Sequence, residues 1–593
     1  MDHRTVTRRL GGLRNPLSRF WLLTKDFFRT PFYVDLLLAG LLGIGLFLPD
    51  AFSAAARAQG GYSAGEDASN LISAFYARSV FLALAVFLLL GFSATGRCKR
   101  FSLAEAISPG SGLRKTLGAQ LILLVCLALL WQLVVTVLAL LLAFACGAAH
   151  HLFLKTVWTA GVLYGLLPVL MGTLLGAAWQ SLDSKTGFFL FFLWTAFFSS
   201  NLSTDTYLLA GSLLEKAASL QAGASLQRFL NLWYRLPPLY NDMVNTSVGI
   251  SAEPLRWMLY SAWMALGGSV LLWRSHRRIP AAICLCLFLI CGGCFLRGGS
   301  MQREALLPTA ELAAQSDLSY YTEDSDRQLR PSTDFTITDY EMTLRFGTEL
   351  QAEVQLTVTE TAAQEYAFTL SHHYHVSGVW DDSGTLLTFT QDGDTVTVQT
   401  QGNTVIRMIY RGAADQFLSN AQAIWLPGYF CWYPIEGRYP VWKDYGYALN
   451  TDQPARRFSV QVRTVCPCFS NLAQSEDGTF SGNAATLTLV GGLYVQTEIN
   501  GVREICPWSA EAVNVTEKLA AAVERYNRTS QTQVPVPNIK TVIYAPSYDL
   551  PVPFGGQNAV FLGDTLLLGG YQYGLDVTGV LECYLKEVSS CWN

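Results

Sequence analysis

The chain has 593 residues, of which 51% are apolar and only 15% are charged, and this balance excludes a single soluble globule. The formal charge of −4 conceals two unlike halves, because residues 1–297 carry 24 Lys and Arg against 12 Asp and Glu, whereas residues 298–593 carry 17 against 33. This asymmetry predicts that the halves lie in different environments, and an acidic second half, which would repel phosphate, excludes nucleic acid as a partner.

The first 30 residues form a basic cytoplasmic tail. Within it, residues 16–30 alternate cations with aromatic and aliphatic side chains, a pattern typical of an amphipathic helix that lies on membrane lipid. A plain membrane flank is the alternative. The tail lacks the small-residue cleavage site of a signal peptide, so we expect the first apolar segment to be retained as a span.

Seven segments lack Asp, Glu, Lys and Arg and are predicted to cross a membrane, since a hydrocarbon core of about 30 Å needs roughly 20 helical residues. They are residues 36–49, 79–96, 116–154, 156–182, 186–204, 257–273 and 279–296. The first is long enough only if its helix starts near residue 31. We therefore predict a six-span membrane domain at residues 31–273 and a seventh span at residues 274–297.

The positive residues set the predicted orientation. The tail and the loops on one side of the spans hold 16 of them, and the opposite loops hold 7. The positive-inside rule makes the richer side cytoplasmic. Arg274, Arg277 and Arg278 then anchor the seventh span on the inner side, and everything after Arg297 lies outside the cell.

The loop of residues 97–115 contains a short predicted helix. Residues 101–107 have helical composition, and Pro109 and Gly110 end the helix. Such a helix can dock into a groove on a partner protein, whereas a solvated loop is the alternative. The cores of the seven spans contain no ionisable residue that could couple transport to ions. The chain also lacks a G-x-x-x-x-G-K-[ST] phosphate loop, so any ATPase would be a separate chain.

This layout resembles the type-2 permeases of ABC transporters. The resemblance rests on four features of the layout: six spans, a basic helix-bearing loop after the second span, an amphipathic N-terminal helix and a long outer connection at residues 205–256. It implies that Phe101, Leu103 and Glu105 belong to the coupling helix that meets a separate ATP-binding subunit. It also implies an exporter, assembled as a homodimer or heterodimer of permease subunits in a bacterial plasma membrane.

The second half is predicted to be mostly β. After a linker at residues 298–331, short alternating segments between turn signals indicate an antiparallel sandwich over residues 332–505. Strands are predicted at residues 335–346, 352–358, 366–370, 386–390, 395–399, 405–410, 458–465, 485–490 and 493–499. A helix at residues 515–528 and a strand at residues 541–545 begin a short α/β region, 506–593. The predicted fold class is thus an α-helical multi-pass membrane domain followed by an extracytoplasmic, mostly-β domain.

The order of these strands is similar to the N-terminal domain of gluzincin aminopeptidases and the start of their catalytic domain. The segment Trp432-Tyr433-Pro434 and a late Gly-rich strand add to the similarity. In that family a G-x-M-E-N strand binds the substrate amine, and a helical H-E-x-x-H supplies two zinc ligands and the general base. Gln557 and Asn558 stand at the first motif, with Gln in place of Glu.

The second motif departs from the family at its zinc ligands. Lys586 replaces the first His and Ser590 the second, while Glu587 is retained. An ammonium group does not ligate zinc, and Glu587 without a metal-bound water has nothing to activate. The chain ends at Asn593, before the third ligand of the family. We therefore expect a catalytically inactive region with no metal and no cofactor.

The expected function is that of a permease whose outer domain recognises or gates a substrate. Four aromatic residues are candidates for the surface that contacts the substrate: Trp425, Tyr429, Trp432 and Tyr433. The alternative is that they belong to the core of the domain. Two other functions stay open. The first is a membrane-anchored binding or sensor protein that transports nothing, and the second is a zinc aminopeptidase.

Histidines and cysteines complete the candidate sites. If His372, His373 and His375 lie on a strand, the last two share a face, and no Cys or carboxylate stands near them at ligand spacing. A surface strand is therefore favoured over a metal site.

The second half contains six cysteines, which are Cys431, Cys466, Cys468, Cys506, Cys583 and Cys591. They could form disulfides in fifteen ways, and unpaired thiols are the alternative.

Overall fold

The structure of the chain is a computed structural model. It describes residues 16–58, 64–100, 112–182, 184–198, a few residues between 213 and 250, and residues 255–275, 277–296, 317–322, 335–359, 363–400, 402–414, 417–443, 446–450, 453–508, 513–546, 559–569 and 575–590. The chain divides into two compact units. The first comprises Met1–Gly60, Asp67–Val244 and Ile250–Gly298, and the second comprises Gly61–Glu66, Asn245–Gly249 and Gly299–Asn593.

The first unit is helical, as its composition predicts. Its described elements are α1 (Pro16–Phe28), α2 (Pro31–Ala58), α3 (Ala64–Arg100), α4 (Gly112–Ala145), α5 (His151–Ala160), a π-helical turn (Gly161–Leu166), α6 (Leu167–Ser181), α7 (Ser184–Phe198), α8 (Arg256–Arg274) and α9 (Arg278–Leu296). A short β-ribbon of β1 (Val244–Asn245) and β2 (Gly249–Ile250) lies between α7 and α8 in the sequence.

Five stretches of the described helices are long and apolar enough to cross a membrane: Pro31–Ala56, Asp67–Gly96, Gly118–Ala145, His151–Ser181 and Arg278–Leu296. They correspond to the first four predicted spans and the seventh. The fifth and sixth predicted spans overlap α7 and α8, and their membrane crossing stays a prediction.

The boundary between the third and fourth predicted spans is wrong by several residues. Helix α4 ends at Ala145, and α5 begins at His151, so the charge-free run to residue 154 is not one helix. Gly147 takes a positive φ of 75°, and the amide of Ala148 donates to the carbonyl of Ala143. This is the hydrogen-bond pattern of a glycine-terminated helix end, which charge content alone does not reveal.

Helices α3 and α6 pack so closely that the backbone of each contacts the backbone of the other. A Cβ atom added to Gly176 of α6 would lie 2.2 Å from the carbonyl oxygen of Leu88, and one added to Gly91 of α3 would lie 2.3 Å from that of Thr173. Gly172 stands four residues before Gly176, and small residues at this spacing are typical of packed membrane helices. The G-x-x-x-G signal was present in the sequence and was missed.

Polar side chains meet at the π-helical turn. The Gln132 amide on α4 donates to the carbonyl of Gly161 at 2.6 Å and to the Thr136 hydroxyl at 2.9 Å. From α3, the Tyr76 hydroxyl donates to the carbonyl of Val157 at 2.9 Å. Gly165 leaves the room that Gln132 fills, since an added Cβ would lie 2.0 Å from its amide oxygen. These hydrogen bonds join α3 to α5 and α4 to the turn, as polar residues inside membrane bundles do.

Helices α8 and α9 form a hairpin. The turn between them is closed by the amide of Arg277, which donates to the carbonyl of Leu272 at 3.0 Å. Farther along, the Ser269 hydroxyl on α8 donates to the carbonyl of Ala281 on α9 at 2.9 Å. The predicted anchors Arg274, Arg277 and Arg278 are exposed at this turn. Arg274 ends α8, Arg277 lies in the turn and Arg278 begins α9, and the anchoring role of the three arginines stays a prediction.

The tail helix is also present. Helix α1 covers most of the predicted amphipathic segment, and its Trp21 is exposed while Leu23 and Phe27 are buried. The Phe27 ring stacks on Tyr33 of α2, with ring centroids 4.7 Å apart. At least one face of α1 therefore packs on protein, and contact of the other face with lipid stays a prediction.

The second unit contains a short helix, α10 (Asp317–Thr322), then mostly strands. These are β3 (Ile337–Phe346), β4 (Leu350–Val358), β5 (Glu365–Thr369), β6 (Tyr374–Asp381), β7 (Phe389–Asp392), β8 (Thr395–Gln399), β9 (Val405–Gly412), β10 (Ile424–Leu426), β11 (Ile435–Glu436), β12 (Trp442–Lys443), β13 (Gly446–Tyr447), β14 (Arg456–Arg463), β15 (Cys468–Ser470), β16 (Ala473–Gln474), β17 (Phe480–Ala484), β18 (Leu489–Gly491), β19 (Tyr494–Ile499), β20 (Val502–Pro507), β21 (Thr541–Tyr544), β22 (Ala559–Leu562) and β23 (Thr565–Leu568). Two longer helices complete the unit, α11 (Val515–Ser530) and α12 (Val577–Ser590).

The main core of this unit lies between two sheets. One has seven strands in the order β16-β17-β14-β3-β4-β9-β6, and the other has four in the order β11-β5-β8-β7. Alternate side chains of both sheets share one buried cluster, for example Tyr340 and Leu356 of the first and Phe368 and Val396 of the second. Two smaller sheets, with the strand orders β10-β18-β15 and β12-β13, are formed by strands from the same part of the sequence. The predicted mostly-β sandwich is confirmed.

Several details differ from the predicted strands. Strands β3 and β14 pair in parallel, with Tyr340 opposite Phe458, so the large sheet is not wholly antiparallel. The strand predicted at 485–490 is reduced to β18, and β7 starts three residues later than predicted. Strand β6 was missed, because the register shift between Val376 and Gly378 breaks its two-residue alternation.

The C-terminal region is a five-stranded mixed sheet with two helices. Its order is β19-β20-β21-β23-β22, with β20, β21 and β23 parallel. Val515, Leu519 and Val523 recur every four residues on α11 and are buried in a second core. Asn514 caps this helix by accepting a hydrogen bond from the amide of Glu517. The predicted helix and strand of this α/β region are confirmed.

Candidate functional site

Several predicted site residues lie outside the described part of the chain. The coupling-helix residues Phe101, Leu103 and Glu105 fall between α3 and α4, in residues 101–111. Gln557 and Asn558 immediately precede β22. Their roles stay predictions.

The remaining vestigial peptidase residues lie on α12. Lys586 is exposed and Glu587 is half-buried, while Ser590 is the last residue of the helix. The helix packs through Val580 and Tyr584 instead. Burial raises the pKa of Tyr584, and the nearby Glu587 carboxylate adds to this effect. In the described part of the chain, Glu587 belongs to no group of three His, Cys, Asp or Glu side chains at metal-binding distance.

The four aromatic candidates for a recognition surface are buried in the sandwich. Trp425, Tyr429, Trp432 and Tyr433 all belong to the main core. The Tyr433 hydroxyl even accepts a hydrogen bond from the buried amide of Leu487. The surface role is wrong, and the core alternative is confirmed.

The histidine run has a different shape from the predicted surface strand. His372 and His373 lie in a turn that the amide of Tyr374 closes by donating to the carbonyl of Ser371 at 2.8 Å. Strand β6 begins only at Tyr374, so His375 alone is on the strand, where it is exposed. The turn sends His372 and His373 toward the same place, which a two-residue alternation does not allow.

A carboxylate from far upstream faces both rings. Asp317 Oδ1 lies 3.3 Å from Nε2 of His373 and 3.6 Å from Nε2 of His372. The side chain of Asp317 is 1% exposed, that of His373 6% and that of His372 20%. The ligand atoms of the three residues lie within 4.8 Å of one another, and they form the one such group that the described residues contain. Spacing along the sequence could not reveal it.

The other ring nitrogen of each histidine contacts an oxygen. Nδ1 of His372 lies 3.1 Å from Oδ1 of Asp394, which also accepts the His372 backbone amide at 2.6 Å. Because a carboxylate only accepts, we assign the Nδ1 proton of His372 as donated to Asp394. Nδ1 of His373 lies 3.2 Å from the Ser371 hydroxyl. These contacts fix both rings with Nε2 turned toward Asp317.

Aromatic residues surround the His–Asp cluster, defined here as Asp317, His372 and His373. The Tyr320 ring stacks on His372 with centroids 3.8 Å apart, and the Tyr447 hydroxyl donates to Asp317 Oδ2. The Tyr321 hydroxyl donates to Asp394 Oδ2 at 2.9 Å. Burial, with the carboxylates of Asp394 and Asp317, raises the pKa of Tyr321. Tyr321 therefore stays neutral and remains a donor at physiological pH.

Comparison with known proteins gives remote structural similarity only. No protein-family model matches the chain, and no curated protein sequence is similar to it. An M1 zinc metallopeptidase from Deinococcus radiodurans is 14% identical over 43% of this chain and 64% of its own, with a TM-score of 0.31. Leukotriene A4 hydrolase from Saccharomyces cerevisiae is 10% identical over 44% of this chain and 46% of its own, with a TM-score of 0.29.

An aminopeptidase N family protein from Idiomarina loihiensis is 9% identical over 43% of this chain and 46% of its own, with a TM-score of 0.26. The chain thus spans less than two thirds of the length of each of these structures. A likeness this remote establishes no activity for the chain.

Proposed function

We propose that the chain is the permease subunit of an ABC transporter, working as an exporter with a separate ATPase. The observation that carries the proposal is the extension of α3 and α4 beyond their apolar stretches. Helix α3 continues four residues past Gly96, to Arg100, and α4 begins six residues before Gly118, at Gly112. At 1.5 Å per residue these extensions are about 6 and 9 Å long.

Both extensions are basic in sequence, with Arg97, Lys99, Arg100, Arg114 and Lys115. Basic helix ends of this kind favour the cytoplasmic side of a membrane. They support a cytoplasmic position for these two helix ends. Phe101, Leu103 and Glu105 stand between the ends in the sequence, and we propose that these three residues meet an ATP-binding subunit. ATP-driven closure of two such subunits would then move α3 and α4 together.

The packing of the first unit supports a polytopic transport domain rather than a simple anchor. A single anchoring helix needs no neighbours, whereas α3 and α6 require the glycine contacts at Gly91 and Gly176. Gln132 and Tyr76 add buried hydrogen bonds between helices. A bundle with these specific contacts can rearrange between discrete packings, as alternating access requires.

For the second unit we propose an inactive descendant of a peptidase that recognises or gates the transported molecule. Two features support inactivity: the Lys586 ammonium group is exposed, and Ser590 stands in place of a zinc-binding His. A membrane-bound sensor is the second candidate, favoured by the clustering of His372 and His373 around Asp317 in the same unit.

The coupling role can be tested by coexpression with the ABC ATPase encoded nearest to this chain. We expect a detergent-stable complex that is lost on Phe101→Asp or Glu105→Lys and kept by the control Ser102→Ala. Unaltered association after both changes would refute the coupling role. If no ATPase gene lay near the gene for this chain, and if deleting the gene for this chain left efflux unchanged, the results would favour the sensor function.

Peptidase activity has its own test. We expect the purified protein to hydrolyse no N-terminal amino-acid amide, with or without added zinc. Hydrolysis that disappears in Glu587→Gln would overturn the proposed inactivity, because Glu587 is the retained position of the general base.

A further inference from the structure

We propose that Asp317, His372 and His373 supply three protein ligands of a zinc site, the three that the described part of the chain contains. Asp317 Oδ1 stands 3.3 and 3.6 Å from the two Nε2 atoms. Charge-assisted N–H···O hydrogen bonds are shorter, about 2.7–2.9 Å. Ligands bound at about 2.0–2.1 Å to a tetrahedral zinc ion stand about 3.3 Å from one another. The two separations therefore suit the edges of a zinc tetrahedron better than a pair of hydrogen bonds.

The surroundings of the rings favour metal binding as well. His372 contacts Asp394 through Nδ1, and His373 contacts Ser371 through Nδ1. Metal-binding histidines usually direct their other ring nitrogen to a carboxylate, a carbonyl or water, which fixes the tautomer and the ring orientation. With its proton on Nδ1, a neutral imidazole presents the Nε2 lone pair to a cation. Asp317 is oriented in the same way by the Tyr447 hydroxyl on its second oxygen.

The donor set selects among cations. Two imidazole nitrogens and one carboxylate oxygen suit zinc, whereas calcium and magnesium prefer oxygen ligands throughout. A six-coordinate ion with bonds near 2.1 Å would hold neighbouring ligands about 3.0 Å apart, less than either observed separation. Because His372 is partly exposed, the fourth position can be reached by water or by an anionic ligand.

The site would join two parts of the second unit that are distant in sequence. Asp317 begins α10, which has six residues, and the histidines belong to the turn before β6. Besides the cluster, α10 meets the sandwich through ring contacts, such as Tyr321 with Trp442 at 5.4 Å between centroids. Bound zinc would therefore fasten α10 to the sandwich, and its removal would loosen that helix. This role goes beyond the proposed transport function.

Zinc binding can be measured on the full chain in detergent, stripped with a chelator and titrated with ZnCl2 against a chromophoric competitor. We expect one zinc per chain. Asp317→Asn and His373→Ala should each weaken binding at least about 100-fold, and Asp394→Asn about 10- to 100-fold. His375→Ala is the matched control, since His375 is an exposed neighbour on β6, and it should bind as tightly as the unaltered chain.

Two further readouts separate a metal site from a structural defect. Cobalt substitution should give the intense visible absorption of four-coordinate Co²⁺, absent in Asp317→Asn, which keeps the shape of the side chain. Zinc removal should speed amide exchange in α10 while that of β3 is unchanged. No zinc on the unaltered chain, or equal affinity in Asp317→Asn, would overturn the proposal.

Discussion

Glu504 places its buried carboxylate at the start of helix α11, where Oε1 accepts the backbone amide of Val515 at 3.0 Å. The second oxygen accepts the amide of Val513 at 3.1 Å, and the side chain of Glu504 is fully buried on β20. The first amides of a helix lack partners within the helix, and its N-terminus attracts negative charge. Glu504 thus fixes α11 to the sheet through its first turn.

Replacing Glu504 by Gln should weaken this attachment by about 1–3 kcal/mol, because the amide NH2 would face backbone donors. Hydrogen exchange on the full chain should show faster exchange across α11. The control Glu498→Gln, an exposed residue on β19, should leave the exchange of α11 unchanged. Equal exchange in Glu504→Gln and the unaltered chain would contradict the role of the carboxylate.

Arg456 and Glu436 form a buried ion pair between the two sheets of the sandwich. Arg456 lies on β14 and donates to Glu436 on β11, and it donates to Gln453 at 2.8 Å. Removing one partner from a buried pair costs about 3–5 kcal/mol, since the other charge stays buried. Arg456→Met should therefore lower the midpoint of thermal unfolding strongly at pH 7.

The stability that the chain loses in Arg456→Met should be smaller at acidic pH than at pH 7. Burial raises the pKa of Glu436 although Arg456 opposes it, so removal of the arginine raises this pKa further. A carboxyl whose pKa is higher in the folded state favours folding as pH falls through that pKa. The variant should regain stability relative to the unaltered chain between pH 7 and pH 5. The control is the double variant Arg456→Met with Glu436→Gln, which lacks this carboxyl and should regain no stability at pH 5. If Arg456→Met lost the same stability at pH 5 as at pH 7, the role assigned to Glu436 would be contradicted.

Gly176 should tolerate no side chain. Its added Cβ would meet the carbonyl oxygen of Leu88, a backbone atom that cannot move aside. Gly176→Leu should abolish monodisperse protein in detergent, at a cost above the about 1–3 kcal/mol of ordinary overpacking. Gly45→Leu on α2 is the control, because nothing lies within 4 Å of its added Cβ. Equal recovery of both variants would contradict the close approach of α3 and α6.

Thiol labelling can locate the second unit, provided that the right residue is used. Cys431 is buried beside Asn450, and burial raises the pKa of its thiol, so it should not react while the chain is folded. Ser383→Cys, on the exposed turn after β6, should gain a label from an impermeant maleimide on intact cells. A gain that requires permeabilised cells would place the unit in the cytoplasm.

Alternation and charge predicted much of this fold. Strands β3, β4 and β9 carry regular two-residue alternation, and the apolar runs matched five membrane-length helices. The His–Asp cluster was missed because Asp317 lies 55 residues before His372, and only the folded chain brings them together. The contact of Gly176 with α3 had a signal in the sequence, since Gly172 stands one helical turn earlier.

The π-helical turn at Gly161–Leu166 absorbs one extra residue between α5 and α6. Such a turn accommodates one residue more than an α-helix, and each residue of an α-helix turns the chain by about 100°. Deleting a single residue there would restore a regular α-helix and keep Gly172 and Gly176 facing α3, because the wide turn already absorbs the extra residue. A deletion in the regular part of α6 before Gly172 would instead rotate both glycines by about 100°. Sequence alignments of related chains should therefore place single-residue gaps within this turn and not in the regular helix that follows it.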